Sequence, residues 1–155
     1  MTTIIDGSLG ITFPSGSGTQ AAQSKVLQVV SYTATGNTGS TTSSTYTATT
    51  ITQAITPLFN TSKIFVLLNC SMYTTATAQN GYFAIYRGGS SVSATTAVYS
   101  GASGLLISGS LSYLDSPATT SSTTYTIYFK TNGGTIYYNP SGTDQISLTL
   151  MEIAA

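Results

Sequence analysis

KIFVLLNCSMY, running from Lys63 to Tyr73, decides the fold. From Ile64 to Leu68 it is apolar at every position, so both faces of an extended chain here need cover. Such a segment belongs at the centre of a sheet, because a half-exposed strand alternates apolar and polar residues instead. The run is much too short to cross a bilayer, which takes about 20 apolar residues as a helix. One face is expected to meet an opposing sheet. The other face calls for a loop or a neighbouring subunit.

The segments around it repeat the extended pattern at short intervals. Upstream, Val26–Tyr32 and Tyr46–Ile51 read as strands, with a polar loop, 35–44, between them. In the second strand Tyr46, Ala48 and Thr50 share a face. Ile55-Thr56-Pro57 is a turn entry, because proline has no N–H to give a ladder. Downstream, Tyr82–Arg87 ends at Gly88-Gly89, and Val98-Tyr99 and Leu105–Leu114 follow. Tyr125, Ile127 and Phe129 alternate with Thr124, Thr126 and Tyr128. Asn132-Gly133-Gly134 then predicts a hairpin into Ile136-Tyr137-Tyr138, because Asn-Gly accepts the positive φ of a tight turn. Asn139-Pro140-Ser141-Gly142 makes a further turn, and Gln145–Ile153 closes the chain. β-Branched side chains lose rotamer freedom in a helix, and no helix is expected. Short strands separated by turn signals predict an all-β sandwich or barrel, and a jelly roll of two four-stranded sheets fits their number.

Residues 1–24 differ from the rest. Leu9, Ile11 and Phe13 alternate with Gly10 and Thr12, and Pro14-Ser15-Gly16-Ser17-Gly18 has the composition of a linker. A single short strand cannot bury itself. The segment 1–24 is therefore expected to be an extended attachment or oligomerisation arm, and 25–155 the sandwich domain.

Composition removes most chemistry. The 155 residues include no histidine, four basic and four acidic side chains and one cysteine, and about one residue in three is Ser or Thr. Lys25, Lys63, Arg87 and Lys130 are scattered, so no basic stripe for nucleic acid is expected. A net charge of zero favours self-association. Eleven tyrosines without a tryptophan point the same way, since tyrosine suits interfaces. A homo-oligomer is expected. Cys70 alone forms no disulfide within the chain and no cysteine-based metal site, and it reads as a buried inert thiol. The N-terminus shows neither the basic nor the apolar region of a signal peptide, so folding in a reducing cytoplasm is expected.

The segment Gly10-Ile11-Thr12-Phe13-Pro14, with Gly16 and Thr19-Gln20, resembles a motif of tailed-phage fibre proteins, notably those of phages infecting cyanobacteria. Ile55-Thr56-Pro57, Thr61-Ser62-Lys63-Ile64 and Leu150-Met151-Glu152-Ile153 resemble recurring elements of their fibre-tip domains. The resemblance implies a trimeric tip with the jelly-roll topology of the C1q and tumour-necrosis-factor families, packed through an apolar and aromatic seam. It departs in length, because a long fibre carries an extended shaft and only a short arm precedes the domain here. On this resemblance the protein is a virion component made in the host cytoplasm, a tail-fibre tip mediating host adsorption as a homotrimer. Its partners would be further copies of itself, other tail or baseplate proteins, and a host surface glycan or protein. A capsid decoration or cement protein and a lectin-like glycan-binding domain are the alternatives.

No enzyme is expected. Glycoside hydrolysis needs two carboxylates flanking a bond. The only acids are Asp6, Asp115, Asp144 and Glu152; Asp115 and Asp144 adjoin turn residues, and Glu152 reads as an edge charge or the partner of a base. No cofactor is implied, and four dispersed acids make no calcium site in one chain. Gly88-Gly89 and Gly133-Gly134 lack the strand-to-helix context of a phosphate loop. Binding remains. Asn132, Tyr137, Tyr138 and Asn139 surround one turn and form the candidate receptor patch, and Ile11, Phe13 and Pro14 are the candidate attachment residues in the arm.

Overall fold

The computed structural model describes residues 25–36, 38–93, 95–139 and 143–155 in full, and 4–6 and 10–12 in backbone. Its strands are β1 (Ile4–Asp6), β2 (Gly10–Thr12), β3 (Val26–Ala34), β4 (Gly39–Thr41), β5 (Thr47–Ile55), β6 (Lys63–Thr74), β7 (Gln79–Arg87), β8 (Ser90–Ser91), β9 (Thr96–Ser100), β10 (Ile107–Asp115), β11 (Thr123–Thr131), β12 (Ile136–Tyr138) and β13 (Ile146–Ile153). No helix occurs among the described residues. None is therefore long and apolar enough to cross a membrane.

The eight main strands pair as nested antiparallel partners: β3 with β13, β5 with β11, β6 with β10 and β7 with β9. Two further pairings, β6 with β13 and β7 with β11, join these pairs into sheets. One sheet runs β3-β13-β6-β10, and short β12 and β4 continue it beside the far end of β6. The other runs β5-β11-β7-β9, with β8 also against β7. Two sheets, each four strands wide, linked by nested pairs form a jelly roll.

β6 is central as expected, hydrogen-bonded along both edges. Ile64, Val66, Leu68, Cys70 and Met72 face the opposing sheet and are buried. Across the gap lie Phe83 and Ile85 of β7, Tyr125, Ile127 and Phe129 of β11 and Ile51 of β5. Ile146, Leu148 and Leu150 of β13 complete the layer. At Gly81 of β7 a β-carbon would collide with the Ile136 side chain, so the sheets approach closely there because the residue is glycine.

A buried polar staple joins the sheets at one end. The Asp115 carboxylate of β10 accepts hydrogen bonds from Arg87 of β7 and, at 2.7 Å, from the Tyr125 hydroxyl of β11. Burial and the neighbouring carboxylate push the Tyr125 phenol well above its ordinary range.

Two expectations are corrected. Asn132-Gly133-Gly134 turns the chain, but not into a hairpin. Both edges of β11 are occupied by β5 and β7, so β12 crosses to the other sheet and pairs with β6 and β4. The second concerns the arm: its short strand needs neither a partner chain nor the following domain to pair with, because β2 pairs with β1 through Ile4–Thr12, Ile5–Ile11 and Asp6–Gly10.

Candidate functional site

The sandwich exposes the turns at its ends and two outer sheet faces. The proposed receptor patch does not assemble at the turn. Strand alternation in β12 sends Ile136 and Tyr138 inward and Tyr137 outward. Tyr138 is buried, edge-on to Phe129 at 5.4 Å, with its hydroxyl 3.0 Å from Thr50 Oγ1. Asn139 is buried with φ of 44°, and its N–H donates to the Ser71 carbonyl at 2.7 Å. Neither can meet a receptor from there. Tyr137 is half-buried and stacks on Tyr73 at 4.8 Å. Asn132 is exposed, and its side-chain oxygen accepts the Asn80 N–H at 2.7 Å. Of the attachment residues, Ile11 lies in β2, described in backbone only, and Phe13 and Pro14 lie outside the described residues.

The described acids, Asp115, Asp144 and Glu152, have structural work. Asp115 closes the staple between the sheets, and Asp144 accepts the Ser71 hydroxyl at 2.7 Å. Glu152 is neither an edge charge nor the partner of a base. It is fully buried, and accepts from the Gln28 amide at 2.6 Å and from the Leu58 and Phe59 N–H groups at 2.8 and 3.3 Å. Burial alone would raise its pKa. The hydrogen bonds outweigh that and hold the carboxyl below its ordinary value. Cys70 is buried, and removal from water pushes its thiol up to about 11, so it stays protonated and inert. Among the described residues no three His, Cys, Asp or Glu side chains gather to hold a metal.

The outer face of the β3-β13-β6-β10 sheet carries an apolar row across all four strands. Register aligns Val29, Met151, Phe65 and Leu114 side by side. Val29 is 54% and Leu114 46% exposed. The next rows turn polar, through Ser31, Thr149, Leu67 and Ser112 to Thr33, Ser147, Asn69 and Ser110. At that polar end a groove of about 620 Å³ lies among Asn69, Ser71, Ser108, Ser110, Asp144 and Gln145.

The outer face of the other sheet carries an aromatic cluster that the sequence alone does not reveal. Tyr86 and Tyr128 stack at 3.8 Å, and register sets Tyr128 opposite the buried Ala84. Tyr46 meets Tyr86 at 6.0 Å, and its hydroxyl lies 2.7 Å from Thr95 Oγ1. The Lys130 ammonium sits 4.7 Å from the Tyr46 ring centre and 5.3 Å from that of Tyr82. Alternation with Ile127 and Phe129 already places Tyr128 and Lys130 outward. Their meeting with Tyr82 and Tyr86 depends on the register of β7 against β11.

Fold and faces together define an all-β jelly-roll sandwich that presents flat surfaces. No family model matches the sequence, and no curated protein matches it. Among solved structures the chain is similar to one of infectious bursal disease virus, Gt strain, at a TM-score of 0.47 and 13% identity, over 99% of this chain and 47% of that one. It is also similar to the infectious bursal disease virus VP2 subviral particle, at 0.45 and 13%, over 89% and 42%. T=1 particles derived from infectious bursal virus give 0.47 and 13%, over 98% and 44%. The chain spans less than half the length of these structures' chains.

Proposed function

We propose that this chain is a virion structural protein, the homotrimeric knob of a short tail fibre that adsorbs the particle to its host. The observation that carries the oligomer is the row Val29, Met151, Phe65 and Leu114. It is an apolar strip laid across a whole sheet in a chain with eight charged side chains. Apolar patches of this kind mark association surfaces. A neutral chain has little charge repulsion to resist pairing there. The virion assignment is supported by the N-terminal segment around Gly10–Pro14, which resembles phage fibre proteins. Three linked copies would turn weak contacts with a repetitive host surface into firm adsorption.

Two measurements test this reading. Light scattering should give three times the chain mass of 16.0 kDa. Gold-labelled antibody should mark the tail of the virion. Label on the head would move the protein to capsid decoration, and a stable monomer would defeat the knob.

A further inference from the structure

We infer that the tyrosine cluster on the outer β5-β11-β7-β9 face, with Lys130 set against two of its rings, is a binding platform for a carboxylated saccharide. The inference deepens the adsorption role just proposed and rests on it, because a seam on the opposite sheet leaves this face turned outward in the assembly.

Three features point to this ligand. First, small residues stand beside two of the rings. Across the ladder the half-buried Tyr128 faces Ala48 and the half-buried Tyr82 faces Ala97, and both alanines are exposed. An aromatic face beside a small residue accepts the C–H face of a pyranose by dispersion and by attraction of polarised C–H groups to the ring. Second, the hydroxyls of Tyr82, Tyr86 and Tyr128 make no hydrogen bond within the described structure, which leaves them to donate to and accept from sugar hydroxyls. Third, the charge is placed and uncompensated. Lys130 is one of four basic side chains, and it contacts ring faces rather than an acid. The described acids are committed elsewhere: Asp115 to Arg87 and Tyr125, Asp144 to Ser71, and Glu152 to Gln28 and the 58–59 backbone. An ammonium held between two rings keeps N–H donors for a carboxylate set beside the stacked sugar. One cation on a face cannot follow a polyphosphate, so a nucleic-acid strand is disfavoured despite the aromatic rings.

The test is a glycan array of uronate-containing, sialylated and neutral oligosaccharides, probed with the full chain. Titration calorimetry on a carboxylated binder follows, with its methyl ester and oligothymidylate as comparison ligands. Binding should be confined to carboxylated sugars and be lost on esterification. Lys130→Gln should weaken it roughly tenfold. Tyr128→Phe, which keeps the stacked ring and removes one hydroxyl, should weaken it by a smaller factor. Equal binding of neutral sugars, preference for oligothymidylate, no binding to any carboxylated sugar, or unchanged affinity in both variants would overturn the site. The solution mass of the same samples separates this from the knob: a trimer that ignores acidic sugars sinks only the platform, and a monomer that binds them sinks only the assembly.

Discussion

Glu152 shows how a single residue in this chain is governed by phase. Counting by two from Ile146 through Leu148 and Leu150 lands on Glu152, so the strand sends a carboxylate inward beside three core side chains. It stays ionised because Gln28 and two backbone N–H groups surround it, and in doing so it fixes the loop after β5. Glu152→Ala takes the shared acceptor away from those part-buried donors, which costs about 1–3 kcal/mol in urea denaturation. The pH dependence has a definite sign. The folded pKa is lowered relative to the unfolded value of about 4.3. The stabilisation is therefore complete above the unfolded value and is lost as pH falls through the lowered folded one. Below about pH 4, wild type should lose stability more steeply than Glu152→Gln. Parallel pH profiles for the two would refute this account.

At the scale of elements, alternation predicted where most strands lie, and β6 and β11 match their sequence pattern nearly end to end. Alternation does not say which edge a strand joins. The turn after β11 illustrates the limit. Thr131 Oγ1 accepts the Gly133 N–H at 3.1 Å, Gly134 takes a φ of 66°, and a β-carbon on it would lie 2.6 Å from the Ala76 methyl. Asn-Gly supplied the turn, and the occupied edges of β11 sent the chain to the other sheet. Gly134→Ala should therefore destabilise the fold by about 1–3 kcal/mol, through backbone strain and crowding together. A thermal melt within experimental error of wild type would show that this turn is free to relax. β4 lies inside the polar loop expected over 35–44 for the same reason: Gly-Ser-Thr has little strand character, and it pairs because β12 offers an edge.

The whole molecule is decided by what its two outer faces do. If the apolar row is the seam, Val29→Asp combined with Leu114→Asp buries charges between adjoining copies. Light scattering should then show monomers at concentrations where wild type assembles, a loss of at least roughly tenfold in association. Circular dichroism should keep its β signal, since exposed substitutions typically shift stability within about 0.5 kcal/mol. Persistence of the assembly would place the seam elsewhere and reopen the face to other partners.

The residues alone determined the class of this protein. β-Branched and aromatic residues at period two, interrupted by Gly, Pro and Asn, call for an all-β sandwich or barrel to bury the apolar face. The want of histidine and charge turned the reading from catalysis towards binding and assembly. Only the tertiary structure decided which rings meet. Tyr46, Tyr82, Tyr86 and Tyr128 come from three separated stretches, and their meeting on one face, with Lys130 against Tyr46 and Tyr82, follows from β11 lying between β5 and β7. It likewise withdrew Tyr138 and Asn139 from the surface, although they are neighbours in sequence of the half-buried Tyr137. The physical reason is one of range. Side-chain alternation is set by neighbouring peptide units, whereas register is set by long-range pairing that sums over the whole sheet.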